Sequence, residues 1–431
     1  MTDVPCWPRV RLSELLTFYG SGATPRGGKN SYKMFGVPLV RSMNVHDLCF
    51  EQKDLAFIDE AQAGMLDRVQ IIHNDILLNI TGASVARCCL ATSSAVGGRV
   101  NQHVMILRTD PSFGDARWLA RALAGPYKGK LLAIAGSGAT REALTKSDVK
   151  NFIISLPPLE YQRRIADLLD VYERLIENNR RRIEILEEMA RLLYREWFVH
   201  FRYPGHEDVE LVNSDFGPIP KGWGQTCLAD ELELQRFNFK PFEYADEEFD
   251  HYSIPAFDAR KLPSLERGAE IKSSKYLLFD ESVMISKLNP RFPRVWRVDR
   301  SETDRQAVAS TEFLVLANPV KWTLTFVYSL ATSTEFVNRL VSTAGGTSTS
   351  HQRVKPTDVM NMPVVNPQAE IVQRYSEQVR PFLRLVDNFI QQNQILQEAR
   401  DLLLPRLVSG ELDVSDLDLQ LETLGYDTRV G

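Results

Sequence analysis

The side chains best equipped for chemistry in this chain carry paired hydrogen-bond donors and acceptors and are gathered in short polar loops. Arg and Lys match the guanine edge, Asn and Gln the adenine edge, and Ser and Thr either. Arg41, Ser42 and Asn44 follow a strand-like run, and Thr81 leads through Gly82 to Arg87. Asn101 and Gln102, with His103, precede another such run. Lys287, Asn289 and Arg291 end one. Thr140 and Arg141 follow a Gly-Ser-Gly-Ala stretch, and Ser350, His351 and Arg353 occupy the matching place later in the chain. Such sets could read bases while Lys and Arg hold phosphates. Asn, Ser, Thr and Gly also gather in turns because their side chains bond local backbone. That alternative stands beside base reading for every loop.

Catalytic signatures are missing. The stretch Gly20–Asn30 looks like a phosphate loop, but the pattern G-x-x-x-x-G-K-[ST] would need Gly at position 23, where Ala stands, and Ser or Thr at position 30, where Asn stands. Asn289-Pro290-Arg291-Phe292 resembles half of an amino-methyltransferase motif, with Arg291 where a second Pro belongs. No G-x-G-x-x-G follows a strand, no H-E-x-x-H occurs, and the seven His are scattered. The five Cys, at 6, 49, 88, 89 and 227, show no C-x-x-C spacing. The expectation is a chain with no catalytic residue, no metal and no cofactor of its own.

Two long helices must position these loops. From 159 to 200 there is no Gly or Pro, and apolar residues recur at heptad spacing: Leu169, Tyr172, Ile176, Ile183, Leu186, Ala190, Leu193 and Trp197, with Asn179 on the same seam. From 368 to 408 the pattern returns as Val379, Phe382, Val386, Phe389, Leu396, Leu403 and Leu407, with Asn393 in the seam. Pro381 either kinks this helix or marks its start, and Leu404-Pro405 is expected to end it. A helix with an apolar seam does not stay single in water. The two most economically pair with each other, antiparallel; the alternative is that each packs on its own domain.

The chain is also an internal repeat. Gly136 to Val149 aligns without gaps on Gly346 to Val359, an offset of 210 (358 − 148), and Pro157, Leu186 and Leu193 match Pro367, Leu396 and Leu403. Trp7 stands five residues before Leu12, and Trp223 five before Leu228. The expected fold class is α/β in the broad sense (α+β). Two mixed α/β domains, 1–157 and 202–367, the second entered through a linker, alternate with helices at 158–201 and 368–410, and 411–431 forms an acidic tail.

At 431 residues, 44% hydrophobic and 25% charged, the composition is that of a globular protein with two or three domains. No apolar run reaches the roughly 18 residues of a membrane span. The N-terminus has no basic and apolar leader, so a reduced cytoplasmic protein without membrane contact is expected. The net charge of −5 excludes a chain that coats nucleic acid everywhere, although the stretch from Lys287 to Arg305 is locally basic.

Several motifs together resemble the specificity (S) subunit of type I restriction–modification enzymes over nearly the whole chain. Leu156-Pro-Pro-Leu-Glu-Tyr-Gln162-Arg-Arg-Ile165-Ala166 looks like that family's "LPPLxEQxxIA" junction between a target-recognition domain and the central helix. Leu193-Tyr-Arg-Glu-Trp-Phe198 and Leu403 to Leu412 look like the ends of its two long helices. Asp75 to Gly82, Ala143 to Val149 and Ser310 to Leu316 look like recurring domain elements. The second junction departs from the pattern at Asn366-Pro-Gln-Ala-Glu-Ile371. The resemblance implies that each α/β domain reads one half of a bipartite site in double-stranded DNA and that the paired helices set the spacing. It also implies docking of two methyltransferase (M) subunits carrying S-adenosylmethionine, which restriction (R) subunits using ATP and Mg can join. The competing reading is a coiled-coil adaptor that joins protein partners without reading DNA.

Overall fold

The computed structural model describes residues 7–25, 27–136, 142–279, 281–299, 305–345 and 352–414. The chain forms two compact units, Met1–Leu175 with Leu396–Gly431, and Ile176–Ile395. Both divisions fall inside the long helices, Leu159–Tyr194 and Ala369–Ser409. Each unit therefore holds one α/β body and a stretch of both helices.

In the first unit, four antiparallel strands lie in the order Leu16–Ser21, Val104–Thr109, Ile76–Asn79, Cys88–Leu90. The run Ile76-Leu-Leu-Asn79 is buried throughout, so both of its faces are covered. A smaller sheet places Val37–Val40 between Ala56–Ile58 and a parallel Arg99–Val100. Arg9–Arg11 pairs with Ile153–Ser155, bringing the domain's entry beside its exit. The helix Ala116–Ala124 starts on Asp115, whose carboxylate accepts from Arg117 N at 2.8 Å and Trp118 N at 3.2 Å. It stops at Gly125, where a Cβ would lie 2.8 Å from Leu404 Cδ2, so the second long helix can approach only a glycine. Arg117 bridges Asp115, Asp167 and Asp170, and Arg121 also reaches Asp170, fixing this helix to the first long one. Burial works against the charge on Arg117, yet the carboxylates raise its pKa. Ile165 and Leu169 from the first long helix and Leu404, Leu407 and Val408 from the second share a core with Ile76 and Trp118.

In the second unit the same central sheet recurs, in the order Glu233–Gln235, Phe313–Ala317, Ser282–Ser286, Val295–Val298, again all antiparallel. Its companion sheet is larger, five strands running Asn238–Phe239, Lys275–Leu278, Ala307–Ala309, Glu248–Tyr252, Ser264–Arg267. Gly224–Cys227 pairs with Pro363–Asn366, the counterpart of the entry–exit pair in the first unit. The stretch 201–224 is not a bare linker. Leu211–Ser214 and Gly217–Pro220 form a hairpin, and Ile219 and Trp223 join the core, because the Gly and Pro residues mark its turn and edge rather than disorder. The first long helix ends in a π-helical turn, Arg195–Val199. The wider turn lets the adjacent Trp197 and Phe198 both enter an aromatic core with Tyr194, Trp223, Phe326 and Tyr375.

Within this unit the two helices run antiparallel and meet at the seam. Asn179 Nδ2 donates to Asn393 Oδ1 at 3.1 Å, both residues buried. Counting four and then seven residues away from that pair in opposite directions sets Ile183 level with Phe389 and Leu186 level with Val386. Ile176 and Val386 are buried, and Ile183, Leu186, Leu193, Phe389, Leu396 and Leu403 are half-buried. The expected end at Leu404-Pro405 is corrected, because the helix continues to Ser409. Pro381 and Pro405 are both interior and exposed, while buried Val379 and Leu383, and Leu404 and Leu407, hold the helix together on either side.

Candidate nucleic-acid interface

The two units share one backbone frame at the end of the central sheet where most of the polar loops converge. In the first, Ile80 N donates to the His103 carbonyl (2.9 Å), Leu144 N to that of Ile80 (2.8 Å) and Gly82 N to that of Glu142 (3.1 Å). In the second, Lys287 N donates to Glu312 (2.8 Å), Val354 N to Lys287 (3.0 Å) and Asn289 N to Gln352 (2.9 Å). The same pattern continues into the next turn: Val85 N donates to Gly82 O and Phe292 N to Asn289 O, both at 2.9 Å. Asn79 N to Arg87 O (2.8 Å) then corresponds to Ser286 N to Arg294 O (2.9 Å). Equivalent places therefore carry different side chains: Ile80 and Lys287, Gly82 and Asn289, His103 and Glu312, Ala143 and Arg353.

In the first unit the frame surrounds a shallow cleft of about 430 Å³ that brings together Ser42, Thr81 and Arg87. His103 Nδ1 lies 2.6 Å from the Thr81 hydroxyl, and its Nε2 lies 3.3 Å from Gln102 Nε2. Gln102 in turn accepts from the Thr24 hydroxyl through Oε1. With the Gln102 amide donating, His103 Nε2 accepts and its Nδ1–H faces Thr81, leaving the Thr81 hydroxyl free to donate outward. Gly22 allows the chain to cross here, since a Cβ would fall 1.7 Å from the Val100 carbonyl. Arg87 Nη1 is 3.5 Å from His46 Nδ1, and no carboxylate pairs with it among the described residues.

Two expected readers in this unit, Asn44 and Asn101, serve the backbone instead. Asn44 is fully buried, accepting from Arg41 N and donating to the carbonyls of Glu51 and Lys53. Asn101 is buried and caps His103 N at 3.0 Å, as Ser310 caps Glu312 N at 3.3 Å. Arg41 donates to the Asp54 carbonyl and lies 5.3 Å over the Tyr32 ring. The two asparagines are turn fasteners, because the groups that fit a base edge fit a peptide group equally well, whereas Arg41 spends one donor on the backbone and stays half-buried. Thr140 and Arg141, like Ser350 and His351, lie outside the described residues.

In the second unit Lys287 sits among Glu312, Arg353 and Arg236. Burial pushes its ammonium below the ordinary lysine pKa; Glu312 draws it back up, and the two Arg residues push it down. Arg353 pairs with Glu312 and is otherwise exposed. Asn289 has a left-handed backbone (φ 48°), which Asn tolerates, and its buried Oδ1 has no partner among the described residues. Arg291 is exposed and no carboxylate pairs with it among the described residues. Three cations around one carboxylate make this end of the sheet positive, suited to phosphate or to the guanine edge. Ser84, His46, Arg236 and Glu312 are missed by sequence reasoning. Only the shared frame, which pairs Glu312 with His103, points to the last of them.

Among the described residues no group of three or more His, Cys, Asp or Glu could hold a metal ion, and no helix is long and apolar enough to cross a membrane.

Residues 7–188 match the family model described as the type I restriction modification DNA specificity domain. The chain is 27% identical over 296 residues to the type I restriction enzyme MjaIX specificity subunit of Methanocaldococcus jannaschii, covering 65% of each. It is 22% identical over 360 residues to the type I restriction enzyme HindI specificity subunit of Haemophilus influenzae, covering 66% of this chain and 74% of that one. The match thus spans a little under two thirds of the MjaIX subunit's length. Among solved structures, the type I restriction–modification S subunit from M. genitalium shares the fold, with a TM-score of 0.58 at 15% identity, covering 94% of this chain and 97% of that one. These likenesses point one way: residues 7–188 match the DNA specificity domain of type I restriction–modification enzymes, and the chain is similar to their specificity subunits.

Proposed function

We propose that this chain is the DNA-reading subunit of a type I restriction–modification complex and that its two α/β bodies bind the two halves of an asymmetric, bipartite double-stranded DNA site. The observation that carries this reading is the shared frame with unlike side chains. Identical backbone pairing around Thr81 and His103 in one unit, and around Leu288 and Glu312 in the other, supports two readers of one design facing different bases. Thr81, Arg87 and Gln102 read or position one half-site; Lys287, Asn289, Arg291 and Arg353 the other. Phosphate contacts from Lys and Arg supply affinity and register. The paired helices set the spacing of the halves and dock two M subunits, which bring S-adenosylmethionine and the adenine methylation. R subunits bring ATP and Mg, and the chain itself supplies no catalytic group.

Methylation mapping of the host genome, with and without this gene, tests the reading. The expected result is a two-part motif whose modification disappears with the gene. The assembled complex is then footprinted on that motif. In this assay Arg87→Ala and Arg291→Ala each weaken binding about tenfold or more and relax specificity in opposite halves, a bidentate base contact being worth about 1–3 kcal/mol. Equal loss on cognate and scrambled duplexes assigns either residue to phosphate. A complex that protects no two-part site would favour an adaptor of proteins.

A further inference from the structure

The turn after the second central strand of each unit has one backbone and two opposite surfaces. In the first unit, Gly82–Val85 closes on a 2.9 Å bond and the apolar residue at its end, Val85, is buried at 3% exposure. In the second, Asn289–Phe292 closes on the same bond at 2.9 Å, yet Phe292 is 71% exposed. The frame can bury an apolar side chain at this position, so the turn itself does not force Phe292 into solvent.

The backbone that carries Phe292 is also held stiffly. Pro290 presets the turn, and Pro293 drives Phe292 toward an extended backbone. One arm is tied by Asn289 N to the Gln352 carbonyl (2.9 Å). The other is clamped by Arg294, whose Nε and Nη2 reach Asp258 at 2.6 and 2.9 Å. An aromatic ring on a stiff turn beside the exposed Arg291, which has no carboxylate partner among the described residues, costs little backbone freedom on binding. An aromatic face next to a cation fits a base stack and its phosphate.

We propose that Phe292 is an apolar wedge, inserted at one base step in the half-site bound by the second unit, with Arg291 on the adjoining phosphate or base edge. The proposal rests on the DNA-reading role proposed above. The step it enters is one that unstacks easily, such as a pyrimidine–purine step. The second half-site would then owe part of its sequence preference to deformability at a position that no hydrogen bond reads.

The test uses the assembled complex and duplexes carrying the mapped motif, with 2-aminopurine placed at successive positions of the second half-site. Wild type is expected to brighten one step distinct from the methylated adenine. Phe292→Ala removes that signal at full occupancy and weakens binding about tenfold to a hundredfold, with an unchanged melting temperature, while Phe292→Trp keeps the signal. A duplex that is bound but brightens nowhere in this half except at the methylated adenine overturns the wedge, as does a Phe292→Ala complex identical to wild type. Loss of complex assembly with the DNA signal intact makes Phe292 a protein contact and also overturns it. If wild type protects no duplex, the DNA-reading role itself fails.

Discussion

The recognition role proposed for Lys287 runs against stability. Its ammonium is half-buried between Arg353 and Arg236, and burial lowers its pKa despite Glu312. The folded chain therefore binds fewer protons there than the unfolded chain over the window between the lowered and the ordinary lysine pKa. The folding penalty is fully present below that window and is relieved as pH rises through it. Affinity in the proposed DNA contact runs the other way, since that contact requires the proton. Lys287→Met is expected to raise the melting temperature slightly and to weaken cognate binding about tenfold. In the wild type, affinity should begin to fall at a lower pH than an ordinary lysine would allow, and Lys287→Met should flatten that limb. Unchanged affinity in the variant would remove Lys287 from the interface. Asn44 and Asn101 make the complementary point. Each is the right residue type for an adenine edge, and each is buried and occupied by backbone, a distinction that residue type cannot carry.

At the scale of elements, the two long helices were legible because a seam repeated over about 40 residues admits few structures. What the repeat hid was the role of its two seam asparagines. Asn179 and Asn393 do not align between the copies, yet they bond to each other at 3.1 Å, because antiparallel pairing matches opposite directions along the chain rather than repeat positions. A buried amide pair of this kind selects register at some cost in stability. Asn179→Ala strands the Asn393 amide and should destabilise the chain by about 1–3 kcal/mol in denaturant titration. Replacing both by Leu should recover most or all of that loss while permitting slipped pairing, detectable by cysteine cross-linking along the seam. A double variant less stable than the single one would show that the pair contributes net stability rather than register. The hairpin at Leu211–Pro220 was illegible for the opposite reason: Gly and Pro mark turns and linkers alike, and only the burial of Ile219 and Trp223 decides between them.

At the scale of the whole chain, the proposed spacing role of the helices makes a prediction of its own. One extra heptad in each helix adds about 10 Å of length, and DNA rises about 3.4 Å per base pair. The spacer of the methylated motif should change by up to roughly three base pairs while both half-sites stay the same. Methylation mapping of the inserted variant reads this directly, and an unchanged spacer would show that the helices do not measure it.

The sequence by itself determined the repeat and the long helices with their seam, because both are written in spacing, and spacing survives whatever the side chains later touch. The tertiary structure alone decided which polar residues face outward. It showed that Gly82 and Asn289, Val85 and Phe292, and His103 and Glu312 hold equivalent places, since backbone hydrogen bonds equate positions whose side chains have nothing in common. A side chain's availability depends on what the folded backbone already asks of it, and that demand arises only when distant segments such as Thr81 and Ala143, or Leu288 and Arg353, are brought side by side.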